Sequence, residues 1–264
     1  MMPNAGFSVI VLAGDRGPGD PLAAAGGVAG KVLVEISGKP MLTYVMEAVS
    51  KFVVDGRILI VCRNGPAYLE AADVGRDYKL IEPASGPAAS ALAALEHLES
   101  DVPVLLVTGD HPLLQPAWLE QFASTARDSG ADAVVGLVDH ARIVERFPSS
   151  RRTRYRFSDV SVCGTNLFFF ASSHGRRIVE YWYAFEADRK KPWRIVRRLG
   201  LWNLLRYLIG ALSLAGALES LSRRSGVRLE AVMVNAPEAA VDVDSPADLA
   251  LATEIIDERK QNQS

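Results

Sequence analysis

The run VPVLLVTGD, residues 102–110, constrains the fold more than any other stretch of the chain. Its apolar side chains follow one another without alternation. Both faces of this strand must therefore be covered, as in a parallel sheet flanked by helices. FSVIVLAG (7–14), GRILIVCR (56–63) and ADAVVGLV (131–138) read the same way. Helical periods lie between them, in PMLTYVMEAVSKF (40–52), GPAASALAALEHLES (86–100) and PAWLEQFASTARDSG (116–130). The last has Pro116 near its start and Gly130 past its end, the usual asymmetry of helix ends. This order predicts an α/β fold, a three-layer sandwich with a mostly parallel central sheet. Ligands bind such sheets beyond the carboxyl ends of the strands. The loop Gly14–Asp20 and the turn Gly109–Pro112 should therefore share one rim.

The remainder departs from that rhythm. Residues 140–170 begin polar and basic, with RRTRYRF at 151–157, and end strand-like in CGTNLFFFA. Residues 174–226 are helical in period and rich in Arg, Trp and Leu. The chain returns with RLEAVMVN, a short strand AAVDVDS and a last helix, whose start is marked by Ser245 as N-cap, Pro246 and Asp248. One domain over 1–264, with 174–226 as a helical insertion, is the expected organisation. A net charge of −2 gives no global pull toward nucleic acid or anionic lipid, and nucleic acid is not an expected partner. Cys62 and Cys163 lie in strand-like runs without paired spacing, which fits a reducing cytoplasm rather than a disulfide or a zinc site. The N-terminus has neither a basic start nor a long apolar run and predicts no signal peptide. Leu199–Leu218 is apolar over about the length of a bilayer span, but Asn203 and Arg206 inside it make spanning costly.

The residues able to carry chemistry sit at loops. The glycines of GDRGPGD (14–20) either let backbone amides close on a phosphate or form a surface connection. Their spacing is neither that of a Walker loop nor that of a dinucleotide fingerprint. Lys31, at the far end of the loop, can project a point charge toward a triphosphate. Asp110 ends a buried strand; it either offers a carboxylate to a hard cation such as Mg²⁺ beside phosphate oxygens or caps the next helix. Asp242 and Asp244 alternate on a short strand and point the same way, so they repel unless a cation or arginine lies between them. Asp244, at the strand's end, is the better metal candidate, and Asp242 serves equally well as a structural acceptor.

Together, VLAG…GK.L…GKPML, EPASGPAASALAAL, LLVTGDHPLL and VDVDSPADLALA resemble the molybdenum-cofactor-guanylyltransferase-like NTP transferases of the GT-A-type nucleotidyltransferase superfamily, over about 1–140 and 228–257. The resemblance implies a GT-A/Rossmann-like fold. It also implies attack by an acceptor's phosphate on the α-phosphate of an NTP, with Mg²⁺ and release of pyrophosphate. By the same resemblance Leu12, Ala13, Gly14, Asp15, Gly17, Ser85, Gly86, Pro87 and Ser90 bind nucleotide. Lys31 and Asp110 are catalytic, and Asp110 with Asp244 holds metal. Gly164, Thr165 and Asn166 border the acceptor pocket, with Arg154 added from the 140–170 acceptor-side segment. The family usually has an arginine where this chain has Gly19, and a proline where Gly30 precedes Lys31. Arg16, elsewhere in the loop, stands in as the catalytic arginine.

Arg151, Arg152, Arg154 and Arg156 are either a solvated surface run or an electrostatic funnel for an acidic acceptor, such as a phosphosugar or a phospholipid-like head group. Residues 193–224, with Trp193 and Trp202, have two readings. They cover the sheet, form a homodimer face or make a lid; or they lie on a membrane surface and bring a lipid-linked acceptor to the site. The expected setting is cytoplasmic, peripheral to the inner membrane face in the second case. Two alternatives to NTP transfer remain open. One is a glycosyltransferase using an NDP-sugar, whose D-x-D would be Asp242–Asp244; the other is a nucleotide-binding protein that lost turnover, to which Gly19 points.

Overall fold

The computed structural model describes residues 6–14, 19–53, 56–63, 66–73, 77–188 and 200–262. The strands are β1 (Ser8–Leu12), β2 (Glu35–Ile36), β3 (Lys39–Pro40), β4 (Ile58–Val61), β5 (Lys79–Ile81), β6 (Val104–Thr108), β7 (Ala133–Asp139), β8 (Tyr155–Arg156), β9 (Ser161–Phe170) and β10 (Leu229–Met233). The helices are α1 (Pro21–Gly26), α2 (Met41–Phe52), α3 (Pro66–Ala72), α4 (Pro87–Leu95), α5 (Pro116–Ser129), α6 (His140–Arg146), α7 (Ser173–Asp188), α8 (Leu201–Leu208), α9 (Leu214–Ser225) and α10 (Pro246–Gln261). Apart from the β2–β3 hairpin, the strands form one sheet in the order β10-β7-β9-β6-β1-β4-β5, with β8 paired to β9. β9 runs antiparallel to β6, β7 and β8, and the other pairs are parallel.

The unbroken apolar strands have the cause expected of them. Along β1, Val9 and Val11 face a core shared with α2, α5 and α10, while Ile10 and Leu12 face a second core with α4 and α7. Successive side chains thus feed opposite helical layers, which is the α/β sandwich read from the sequence. Each such buried side chain contributes roughly 1.5–3 kcal/mol. In α2 the buried Met41, Leu42, Val45, Met46, Val49 and Phe52 keep the helical period. α5 opens on Pro116 and stops at Gly130, whose φ of +64° is open to glycine and strained for other residues.

Several segments differ from the sequence reading. The loop after β1 contains α1, and Asp20 caps it by accepting from the amides of Leu22 (3.0 Å) and Ala23 (3.3 Å). α3, β5 and α6 are too short for periodicity to reveal. Residues 239–245 do not form a strand: a 3-10 turn, Pro237–Ala240, leads into extended chain tied to the sheet where the Val243 amide donates to the Asp110 carbonyl at 3.0 Å. In the insertion between β9 and β10, α8 and α9 are separate helices. No helix among the described residues is long and apolar enough to cross a membrane. Residues 193–199 of the 193–224 segment lie outside the described residues.

Candidate active site

The Gly109 amide donates to the Leu12 carbonyl at 2.8 Å, so the carboxyl ends of β1 and β6 meet, as the shared rim requires. A Cβ on Gly109 would come within 3.1 Å of the Ala13 Cβ, so a larger residue would force the turn and β1 apart by a few tenths of an ångström. The turn carries Asp110, whose Oδ1 accepts from the Thr108 hydroxyl at 2.6 Å. Its Oδ2 accepts from Lys31 Nζ, also at 2.6 Å. Lys31 opens a 3-10 turn anchored by buried Val32 and Leu33. The Val243–Asp110 backbone bond brings Asp244 alongside, and its Oδ1 accepts from the same ammonium at 2.6 Å. One ammonium thus sits between two carboxylates. The Lys31 and Asp110 side chains are 11% and 18% exposed and that of Asp244 is 65% exposed, so the site opens on the Asp244 side.

Burial opposes the charge on Lys31, but the carboxylates of Asp110 and Asp244 more than reverse this and hold its pKa well above the ordinary lysine value. Burial pushes Asp110 up, yet the Lys31 ammonium, His111 and the Thr108 hydroxyl hold it below the ordinary carboxylate value. The depressed Asp110 pKa stabilises the fold above the ordinary carboxylate pKa, and that share is lost as pH falls through the folded value. The raised Lys31 pKa stabilises below the ordinary lysine pKa, and its share is lost as pH rises through the folded value. Lys31→Met is therefore expected to cost about 1.5–3 kcal/mol at neutral pH, the worth of hydrogen bonds to a charged group. The gap from wild type narrows below about pH 4. Denaturant unfolding at both pH values checks this, and a gap independent of pH would contradict it.

A second cation orders the chain around Asp244. The Arg152 side chain, 6% exposed, donates to the Asp242 and Asp248 carboxylates and, at 2.7 Å, to the Asp242 carbonyl. Asp248 in turn accepts from the Asp244 amide (3.3 Å) and the Ser245 hydroxyl (2.6 Å). Arg152 is thus a buried clamp and belongs to neither surface reading of the arginine run. Burial, joined by Asp110 and Asp244, pushes the Asp242 carboxyl up against the pull of His111 and Arg152. The repulsion expected between Asp242 and Asp244 is relieved by separate cations. With Asp242 committed to Arg152, the carboxylates that converge on Lys31 among the described residues are Asp110 and Asp244. Among the described residues no cluster of three or more His, Cys, Asp or Glu is placed to hold a metal. Two carboxylates already converging on one positive charge suit Mg²⁺, which takes one or two carboxylates and completes its shell with water and phosphate oxygens.

The other expected residues fall in several places. Asp15, Arg16 and Gly17 lie outside the described residues. Leu12 and Ala13 are packed in the two cores, and the Ala13 amide is used by the Val61 carbonyl at 2.9 Å, so their side chains do not reach the rim. Gly14 is exposed at the rim, where a Cβ would lie 3.8 Å from that of Pro83, which brings the β1 and β5 loops together. Ser85 and Pro87 are exposed; Ser90 is buried, and its hydroxyl accepts from the Ala84 amide at 2.9 Å, bracing the loop. Gly164 is exposed with open space around it. Thr165 turns inward instead of facing an acceptor: it is 1% exposed and donates to the Gly136 carbonyl at 2.8 Å across a bulge in the β7–β9 pairing. Asn166 follows with φ +53°, a strained turn that aims its amide at His111 Nε2, 2.9 Å away. Arg154 is exposed and donates to Ser161 in its own hairpin at 2.9 Å.

Glu186, near the end of α7, has no signal in the sequence. Its Oε2 accepts from the Ala88 amide at 3.1 Å, in the first turn of α4, where a negative charge is favoured. A Cβ on Gly86 would lie 2.0 Å from its Oε1. Gly86→Ala is therefore expected to displace Glu186 and cost about 1 kcal/mol, the scale of a lost cap. In a Glu186→Ala background the same change should cost much less. A double-mutant cycle on melting curves measures the difference, and additive effects would contradict the contact.

A family model described as a MobA-like NTP transferase domain matches residues 9–229. The bifunctional protein GlmU of Bordetella petrii is 33% identical over 117 residues, 42% of this chain and 25% of that protein. The chain spans about a quarter of the length of the curated relatives it matches. A hypothetical transferase from Thermus thermophilus superposes with a TM-score of 0.76 at 28% identity, over 92% of this chain and 98% of that one. A CMP:2-keto-3-deoxy-manno-octonic acid synthetase complexed with CTP shares the fold, with a TM-score of 0.60 at 15% identity over 97% and 100% of the two chains. On the strength of the match across most of its length, this chain belongs to the MobA-like NTP transferase domain family.

Proposed function

We propose that the protein is a Mg²⁺-dependent nucleotidyltransferase that moves a nucleoside monophosphate from an NTP to a phosphorylated acceptor. The observation that carries this reading is the Lys31 ammonium held between Asp110 and Asp244 at the carboxyl edge of the sheet. A phosphate oxygen of the acceptor bonds to the α-phosphorus while the bond from that phosphorus to the bridging oxygen breaks, and pyrophosphate leaves with the electron pair. Charge concentrates on the phosphoryl oxygens in the transition state, and fixed cations stabilise it. Lys31 supplies one such charge from a rigid turn. Asp110 and Asp244 would hold Mg²⁺, which supplies the other. Thr108 orients Asp110, and the Arg152 clamp holds the loop of Asp244. The exposed Gly14 and the loop Ser85–Pro87 form the nucleotide side, and Gly164 with Asn166 the acceptor side. Thermal shift with ATP, GTP, CTP and UTP, each with Mg²⁺, tests the reading, since a ligand that binds only the native state stabilises it by about 2.7 kcal/mol at a hundredfold excess over Kd. At least one NTP should raise the melting temperature, and Lys31→Ala should abolish that rise; four null results would overturn it.

Gly19 favours a second reading, nucleotide binding without turnover. It is exposed, and a Cβ there would meet no atom within 4 Å. On this reading Gly19→Arg is expected to fold as wild type and to raise turnover at least roughly tenfold above the wild type's background, by adding a cation at the phosphates. An unchanged or lower rate would show that the missing arginine does not limit this chain.

A further inference from the structure

α8 carries its apolar side chains outward. Leu201, Trp202, Leu205, Leu208 and the following Ile209 are 62%, 71%, 43%, 70% and 75% exposed. Their spacing puts them on one stripe of a helix. The opposite side is held down. Asn203 donates to the Ser220 hydroxyl of α9, and the Tyr207 ring meets Phe157 edge-on at 5.9 Å. The chain beyond α8 is tied to the same turn: the Ser158 amide donates to the Leu212 carbonyl at 2.9 Å, and the Leu214 amide to Asp159 Oδ1 at 3.0 Å. The stripe is therefore presented by a fixed helix.

Cations surround it. The Arg224 guanidinium stands at the start of α8, where a Cβ on Gly200 would lie 2.1 Å from Nη2. Exposed Arg151, Arg154 and Arg156 flank the turn on which α8 rests. The nearby acids are engaged, Glu219 with Arg223 at 3.6 Å and Asp159 with the Leu214 amide.

We propose that α8 docks on an anionic phospholipid bilayer, its apolar stripe in the interface and the surrounding arginines against the head groups. An exposed apolar stripe this concentrated marks an interaction surface. The cationic border selects a negatively charged occupant, whereas a second copy would set like charges against like. Trp202 and the flanking arginines are suited to an interface with one apolar and one polar side. Through the pairing of Asp139 with Val162, the hairpin under α8 lies at the carboxyl edge of β7, the edge that carries the candidate active site. The docking does not depend on which reaction that site performs.

Flotation of the full chain with phosphatidylcholine vesicles, and with vesicles containing about one-third phosphatidylglycerol, tests the proposal. The protein should float with the anionic vesicles at low salt, with partitioning at least about tenfold weaker on phosphatidylcholine alone or in high salt. Trp202→Glu with Leu208→Glu should abolish flotation while leaving the melting temperature unchanged, because both side chains already face solvent. Absence of flotation with either vesicle would overturn the proposal. So would a concentration-dependent dimer, seen by light scattering without lipid and removed by the same double variant.

Discussion

Asp110→Asn is expected to lower nucleotidyl turnover by about 10³-fold or more, the scale of losing a group that organises charge at a reacting phosphate. Asparagine keeps the shape of Asp110 but accepts only through its one amide oxygen, so it keeps the bond from Thr108 or the bond from Lys31, each 2.6 Å in the wild type, and not both. What it removes is the negative charge that sets Lys31 in place and would hold the metal. The melting temperature should change by no more than a few degrees. Initial rates of pyrophosphate release beside a thermal melt separate the two effects, and a rate within tenfold of wild type would remove Asp110 from the chemistry.

Arg152→Ala carries the largest expected effect on stability. The substitution leaves the Asp242 and Asp248 carboxylates, 27% and 16% exposed, without their shared cation. Breaking a buried pair by removing one partner costs about 3–5 kcal/mol. For a chain of this size that lowers the melting temperature by roughly 10 °C. Turnover should fall as well, because Asp248 also holds the Asp244 amide. Asp242→Asn with Asp248→Asn, in the Arg152→Ala background, should recover part of the lost stability. A melting temperature unchanged in Arg152→Ala would contradict the clamp.

The sheet is legible in the sequence because its strands are covered on both faces, and a continuous apolar run such as VLLVT suits few positions besides a doubly covered strand. Helix ends are legible where one residue type dictates them, at Pro116, Gly130 and Ser245. Short elements such as α1, capped by Asp20, lack the length for periodicity to emerge. The site divides the same way. Asp110 and Lys31 stand out because each ends or opens an ordered segment. That they meet, across 79 residues, and that Asp244 joins them across 213, is a tertiary fact that spacing does not carry. The role of Arg152 is hidden for the same reason: its polar neighbours in sequence are exposed, while its partners lie 90 and 96 residues away. Thr165 sits in a strand that resemblance points toward the acceptor, but the bulge opposite Gly136 turns its side chain inward.

The most direct test of nucleotidyl transfer follows the label from an NTP carrying ³²P at the α-position, incubated with the protein, Mg²⁺ and a panel of phosphorylated acceptors. Transfer predicts that the label moves into an acceptor adduct with one unlabelled pyrophosphate released per adduct, and that Asp110→Asn forms none. Label recovered only as unchanged NTP across all bases and acceptors would contradict it, as would release of free NDP from an NDP-sugar in place of pyrophosphate.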